Sequence, residues 1–240
     1  MFSQKKEIKE SKHTLIFAKT QNSFSILEKE ILIELQYLPS IHYVSKLLGA
    51  SKVWIEQHEN YTKGSYRNRC HLANSQGLLR LSIPLLGGKH QQQSIRDVTI
   101  SNTENWQSQH WIAIQSAYGK SPFFEFYADL IRPFYQKKYK FLWDWNWDLL
   151  QQIFSMIPIE KQLHLSQEYQ KNLPDGIADF RNKISPKKHK TISDSSFLQE
   201  KYIQVFEEKN GFIPNLSILD LLFCTGPESI IYLENGIQPS

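Results

Sequence analysis

Two short apolar runs each end at residues able to move a proton or hold a polar ligand. The first, Ile31-Leu32-Ile33-Glu34-Leu35, gives way to Gln36-Tyr37-Leu38-Pro39. Gln36 carries an amide that both donates and accepts, and Tyr37 carries a ring that stacks. The second, Val53-Trp54-Ile55, ends at Glu56, with Tyr61, Lys63, Asn68 and Arg69 behind it. A carboxylate at a strand end, beside a cation and an amide, can orient a polar substrate or accept its proton. Arg69 can grip a carboxylate or phosphate with its planar fork. Further on, His110 shares a segment with Trp106 and Tyr118. Between Arg181 and Lys190 stand five Lys/Arg and no acid, with Asp179 just ahead. A basic loop of that kind can close over a phosphorylated substrate. Each of these has a purely structural alternative. Gln36 can tie down the turn that Pro39 shapes. Glu56 can form an ion pair with Lys63 or Arg69. A helical His beside Trp is more often a satisfied, half-buried residue, and a charge run is more often a solvated surface.

These residues need a frame. Pro39 removes a backbone donor and is expected to hold Leu38 extended. Ser40 is placed to cap a helix over residues 41–48, closed by Gly49. Strand, loop, helix and strand make a βαβ unit, which favours parallel pairing. The carboxyl ends of such strands meet a crevice where ligands bind, and Gln36 and Glu56 both stand there. Residues 66–72 and 78–83 then predict a hairpin around Ala73-Asn74-Ser75-Gln76-Gly77. Alternation places Tyr66, Asn68, Cys70 and Leu72 on one face and Arg67, Arg69 and His71 on the other. Residues 95–100 read as a further strand.

From about residue 103 the period becomes helical. Trp106, His110, Ala113 and Ala117 share one face; Trp111, Ile114 and Tyr118 share another. Ser121-Pro122 is expected to open the next helix with Ser121 as its cap, and residues 144–156 form a third. Of the 25 residues 123–147, 11 are aromatic, a stripe wide enough to be buried or to line a cleft. Leu163-His164-Leu165 can return to the sheet. Residues 170–196 read as a polar excursion or lid, and residues 202–208 and 217–223 as helices. The fold class is therefore α/β, with a mixed sheet built mainly from the N-terminal half and covered by a helical C-terminal half. Residues 1–30 read as an N-terminal extension and 31–236 as one domain.

Composition removes several functions. Among 240 residues, 28 Lys/Arg against 24 Asp/Glu give a net charge of +4, too mild to mark a nucleic-acid binder. No apolar stretch approaches the roughly 18 residues of a membrane span. Cys70 and Cys224 alone make no disulfide scaffold, and the first 12 residues lack a secretory apolar core, so a cytoplasmic location is expected. Leu86-Gly87-Gly88-Lys89-His90 fails as a phosphate loop, because Ile83 stands at the first glycine position and His90 at that of the Ser/Thr. No GxGxxG, GxSxG, HExxH or CxxC occurs, so no metal site and no particular cofactor is implied. Cys70 and His71, as strand neighbours, point to opposite faces and do not form a nucleophile–base pair.

The order of several short stretches nonetheless resembles the WbqC-like protein family. They are Gln36-Tyr37-Leu38-Pro39; Glu56 with Tyr61 and Lys63; Tyr66-Arg67-Asn68-Arg69-Cys70; and Leu81-Ser82-Ile83-Pro84. Trp106, His110, Tyr118 and Ser121-Pro122-Phe123-Phe124 follow. After these come Asp179-Phe180-Arg181, Ile184-Ser185-Pro186-Lys187, and the run from Gly211 to Leu222. Glu56 departs from the pattern, which places Asp there; the longer side chain keeps the carboxylate and changes its reach. The resemblance implies a transferase of surface-polysaccharide biosynthesis, passing an acyl or aminoacyl (glycyl) group to an amino sugar. On that reading Glu56 or His110 takes the proton of the attacking amine. Lys63, Arg69 and Arg181 hold phosphate or carboxylate, while Gln36, Tyr37, Asn68 and Tyr118 complete the binding of a small substrate such as an amino-sugar nucleotide. The competing reading is a non-catalytic binding or scaffold protein of envelope biogenesis. A cleft shared by Gln36, Glu56, Asn68, Arg69 and His110 favours the enzyme. An exposed patch of Trp143, Trp145 and Trp147 favours the scaffold.

Overall fold

The computed structural model describes residues 29–87, 92–157, 160–187 and 194–238. The expected N-terminal extension lies almost wholly outside these. At the centre is a parallel sheet. Strand β1 (Glu30–Glu34) leads through helix α1 (Ile41–Gly49) to β2 (Val53–Glu56), in the register Ile31↔Val53 to Glu34↔Glu56. Two strands from the second half of the chain flank this pair. β5 (Leu163–Leu165) joins β2 and β6 (Ile177–Asp179) joins β1, giving the order β5-β2-β1-β6. The α/β class is as expected, but half of the sheet's strands return from beyond residue 160. One of them, β6, interrupts the stretch read as loop. Three residues suffice there because β1 supplies the pairing, Glu30↔Ile177 to Leu32↔Asp179.

Alternation divides the sheet chemically. Ile31, Ile33, Val53 and Ile55 point to one face and enter the core. Glu30, Leu32, Glu34, Trp54 and Glu56 point to the other. Helix α1 is buried along its whole length, and Ser40 caps it by accepting from the Tyr43 amide at 3.4 Å. Leu38 is not extended; its φ is +41°. The contacts on both sides override its local preference. Tyr37 N–H donates to Tyr66 O, Pro39 O accepts from Ile218 N–H, and the Leu38 side chain is fully buried.

Strands β3 (Arg69–Asn74) and β4 (Gly77–Ser82) form the expected hairpin as a separate antiparallel pair. Its first strand starts three residues later than the pattern indicated. Residues 66–68 are turn, and Arg67 swings inside with no exposed surface instead of sharing a face with Arg69 and His71. Residues 95–100 are not a strand. Ser94 caps a 3-10 turn (Ile95–Asp97), and only single bridges form at Thr99 and Ile100.

Helix α2 (Trp106–Tyr118) buries Trp106, Gln107, His110, Ile114, Ala117 and Tyr118, merging the two expected faces. Helix α3 (Phe124–Ile131) begins without a side-chain cap, because the Ser121 hydroxyl donates backward to Tyr118 O. Helix α4 (Leu142–Met156) carries the tryptophans into the core. Trp145 lies against Tyr37, Trp106, Phe134, Tyr135 and Tyr139. The helix expected at 202–208 is the short α5 (Glu207–Asn210). The helix expected at 217–223 is α6 (Ile218–Thr225), capped by Ser217, and the sequence pattern gave no warning of α7 (Ser229–Asn235). Helix α1 packs against α6 and α7. Among the described residues no helix is long and apolar enough to cross a membrane.

Candidate functional site

All four parallel strands deliver a polar group at or just past their carboxyl ends. β1 brings Glu34, β2 brings Glu56, β5 is followed by Ser166, and β6 brings Asp179 with Arg181 close after. The chain leaves β1 toward β2 on one side and comes back as β6 on the other, the strand order that opens a crevice in α/β sheets. Glu34 is 1% exposed and Glu56 is fully buried. Charges taken so far from water need partners, since an unpaired buried ion costs several kcal/mol.

Two guanidinium groups supply them. Arg67, itself fully buried, forms a two-pronged bond to Glu59, Nε to Oε1 at 2.7 Å and Nη2 to Oε2 at 2.5 Å. Its Nη1 lies 3.9 Å from Glu34 Oε1. Arg181 holds Asp179 in the same forked manner, at 2.9 and 2.7 Å, and reaches Glu56 Oε2 with Nη1 at 3.1 Å. The guanidinium also lies over the Tyr169 ring, 4.8 Å from its centroid. The other oxygen of Glu56 accepts from the His58 amide and the Ser166 hydroxyl, each at 2.8 Å. Glu34 Oε2 accepts from the Asn182 amide at 2.8 Å.

Glu34, Glu56, Glu59 and Asp179 face Arg67 and Arg181, and Lys183 adds its charge at Asp179. Burial, the largest influence, pushes the Glu59 carboxyl above its ordinary range; Arg67 pulls against it, and Glu34 and Glu56 push with it. At Asp179 burial also opposes the charge, but the hydrogen bonds of Arg181 outweigh it and hold the carboxyl below the usual range.

Gln36 borders this cluster. Its Nε2 donates to Ile184 O at 3.4 Å, and its buried Oε1 has no hydrogen-bond partner among the described residues. Arg67 Nη1 likewise has no hydrogen-bond acceptor among them. Buried atoms without a hydrogen-bond partner among the described residues also occur elsewhere, at Ser45, Trp106, Trp145 and Ser229 among others. The turn at Gly64 closes the same region. Gly64 has φ +77°, and a Cβ there would come within 2.8 Å of Lys187 Cε.

The residues singled out from sequence fall into groups. Glu56 and Arg181 belong to the buried strand-end cluster with Gln36 nearby, and the cation on Glu56 is Arg181, not Lys63 or Arg69. Tyr37 turns away into the aromatic core. Its hydroxyl lies 2.9 Å from His110 Nδ1 and 2.9 Å from the Tyr135 hydroxyl. His110, 6% exposed, stands edge-on to Trp106, and burial pushes its pKa down to about 4. Asn68 is buried and donates to Ile83 O at 2.9 Å. Arg69 is half-buried on the hairpin and Lys63 is exposed. Tyr118 joins a third group through Asp220 Oδ2 at 2.7 Å. Glu34, Glu59 and Arg67 escaped the sequence reading. The available signal was Glu34 itself, a carboxylate inside an otherwise apolar run, which must find a buried cation.

Residues 36–191 match the WbqC-like protein family. The chain belongs to the WbqC-like protein family. It is also 28% identical over 229 residues to "Uncharacterized protein Rv1507c" of Mycobacterium tuberculosis (strain ATCC 25618 / H37Rv), a match covering 86% of this chain and 98% of that protein. No solved structure matches. In this WbqC-like chain, residues widely separated in the matched span meet at one place. Gln36 touches Ile184, Glu56 touches Arg181, and Lys187 lies against Gly64.

Proposed function

We propose that this WbqC-like chain is a cytoplasmic transferase of surface-polysaccharide biosynthesis, passing an acyl or aminoacyl (glycyl) group to the amine of an amino sugar. The observation that carries this reading is the cluster of buried carboxylates that Arg67 and Arg181 hold at the strand ends. Such a site suits a substrate that arrives with an ammonium group and must lose a proton before it attacks. A carboxylate has about four acceptor positions. Glu56, fully buried, accepts three hydrogen bonds from described residues, and in this scheme its fourth position takes the amine proton. Gln36 Oε1 is a second acceptor of the right kind.

In this scheme the ammonium first gives one proton to Glu56; the amine nitrogen then attacks the acyl carbonyl carbon, a C–N bond forms, the bond to the donor's leaving group breaks, and the second proton leaves with that group. Arg181 holds Glu56 in place and offers positive charge to a carboxylate or phosphate. Arg69 and Lys63 lie farther out along the chain's surface-facing turn and hairpin, where they fit an outer phosphate. Asn68 supports the turn after β2. His110, enclosed by rings, acts as a positioning residue for Tyr37, and Tyr118 does the same for the helical half. The tryptophan patch expected of the scaffold alternative is not exposed, since Trp143 and Trp145 are buried and Trp147 half-buried, and the five residues expected to share the enzyme's cleft fall into separate groups.

The test is mass-spectrometric detection of acyl gain on a panel of amino-sugar nucleotides incubated with acyl and aminoacyl donors. Glu56→Gln should lower the rate by about 100-fold or more, the usual scale for a general base. Arg181→Gln should raise KM and lower kcat together. Undiminished transfer by both variants would remove the crevice from the mechanism.

A further inference from the structure

On the polar face of the sheet, beneath the loop that follows β5, lies a cavity of about 260 Å³. Leu32 and Trp54 form its floor and Ile177 part of its wall; Gln167, Glu168 and Gln170 stand around it. Drug-sized ligands need roughly 300–1,000 Å³, so this space suits a single ring. Trp54 is held ready. Its Nε1–H donates to Glu30 Oε2 at 2.7 Å, His164 leans on it at 5.2 Å, and the Lys52 ammonium, which is not part of the cavity wall, lies 4.2 Å from the ring centroid.

An indole face carries a negative quadrupole and a large apolar area, which suits the weakly positive C–H edge of a saturated ring. Glutamine side chains donate and accept at once, as hydroxyl groups do. The described lining contains a carboxylate and no cation, which favours an ammonium-bearing ring over a phosphate. The cavity adjoins the strand-end cluster. Ser166 lines it and donates to Glu56, and Tyr169 of the same loop lies under Arg181.

We propose that this cavity is a saccharide subsite, seating one amino-sugar ring on Trp54 while Gln167, Gln170 and Glu168 bind its hydroxyl and ammonium groups. Its link to catalysis rests on the transferase reading; its binding does not.

The experiment is ligand-observed saturation-transfer NMR of the full chain with glucosamine, glucose and uridine monophosphate. Glucosamine should bind, more tightly than glucose. Gln167→Ala and Gln170→Ala, both at exposed positions, should weaken it at least fivefold without lowering the melting temperature. Trp54→Ala should weaken it at least tenfold, with Trp54→Phe between. Failure of glucosamine to bind, affinity unchanged in Trp54→Ala and Gln170→Ala, or uridine monophosphate alone responding to these variants would each overturn the subsite. Trp54-dependent sugar binding with no transfer to any acceptor would leave the subsite standing and remove the transferase reading. Transfer with unchanged KM in Trp54→Ala would do the reverse.

Discussion

Among the described residues, carboxylates are buried in two places and treated in opposite ways. In the helical half, Asp220 of α6 is fully buried and accepts from the hydroxyls of Tyr118 and Tyr202 at 2.7 and 2.6 Å. Tyr118 in turn accepts from the Ala73 amide at 3.0 Å, so one carboxylate ties α2, α6, the hairpin and the segment before α5 together. Among the described residues no Lys or Arg pairs with it, and burial pushes its pKa up to about 6. At the strand ends, Glu34, Glu56 and Glu59 rely instead on guanidinium groups, and acceptors beside them stay open. A network closed by neutral hydroxyls is complete as it stands and serves the fold. The one held by guanidinium groups, with an unfilled acceptor beside it, is the candidate site.

The comparison can be broken from the ionic side first. Arg67→Met strands Glu34 and Glu59 without a cation, and chemical denaturation should show a loss of about 3–5 kcal/mol, the usual result of breaking a buried pair. A loss below about 1 kcal/mol would mean that the carboxylates can stand alone.

Asp220→Asn attacks the neutral side through pH. The folded pKa, about 6, lies above the ordinary 3.8. The native state therefore binds the proton more tightly, and stability from this group is greatest below pH 4 and falls as pH rises to about 6, by roughly 2–3 kcal/mol. Melting temperatures at pH 4 and pH 7 should show Asp220→Asn improving relative to the parent as pH rises; a constant gap would contradict the assignment.

The smallest effect should come from Tyr37→Phe. It removes two neutral hydrogen bonds, to His110 and Tyr135, at a cost of about 1 kcal/mol each or less.

Local chemistry made much of the frame legible. Apolar runs of strand length flank a helix with a Ser cap, so β1, α1 and β2 could be drawn from residues 31–56 alone, and glycine-punctuated alternation drew the hairpin. Elements that depend on partners were hidden. Ile177-Ala178-Asp179 is a strand only because β1 offers an edge, and Leu38 turns left-handed only because backbone bonds grip both its neighbours. The site was half visible for the same reason. Glu56, Gln36 and Arg181 could be picked by position, but alternation groups Arg67 with Arg69 and His71, since no alternation rule shows that the chain turns at 66–68.

The strand order also sets a timetable. β1 and β2 leave the ribosome more than a hundred residues before the strands that flank them. At roughly 5–20 residues per second, synthesis keeps both edges of that pair bare for roughly 5–20 s. During this interval the nascent chain offers two unpaired β edges to any neighbour. Chaperone dependence during translation, and sensitivity to slow codons between residues 57 and 162, follow from the topology alone.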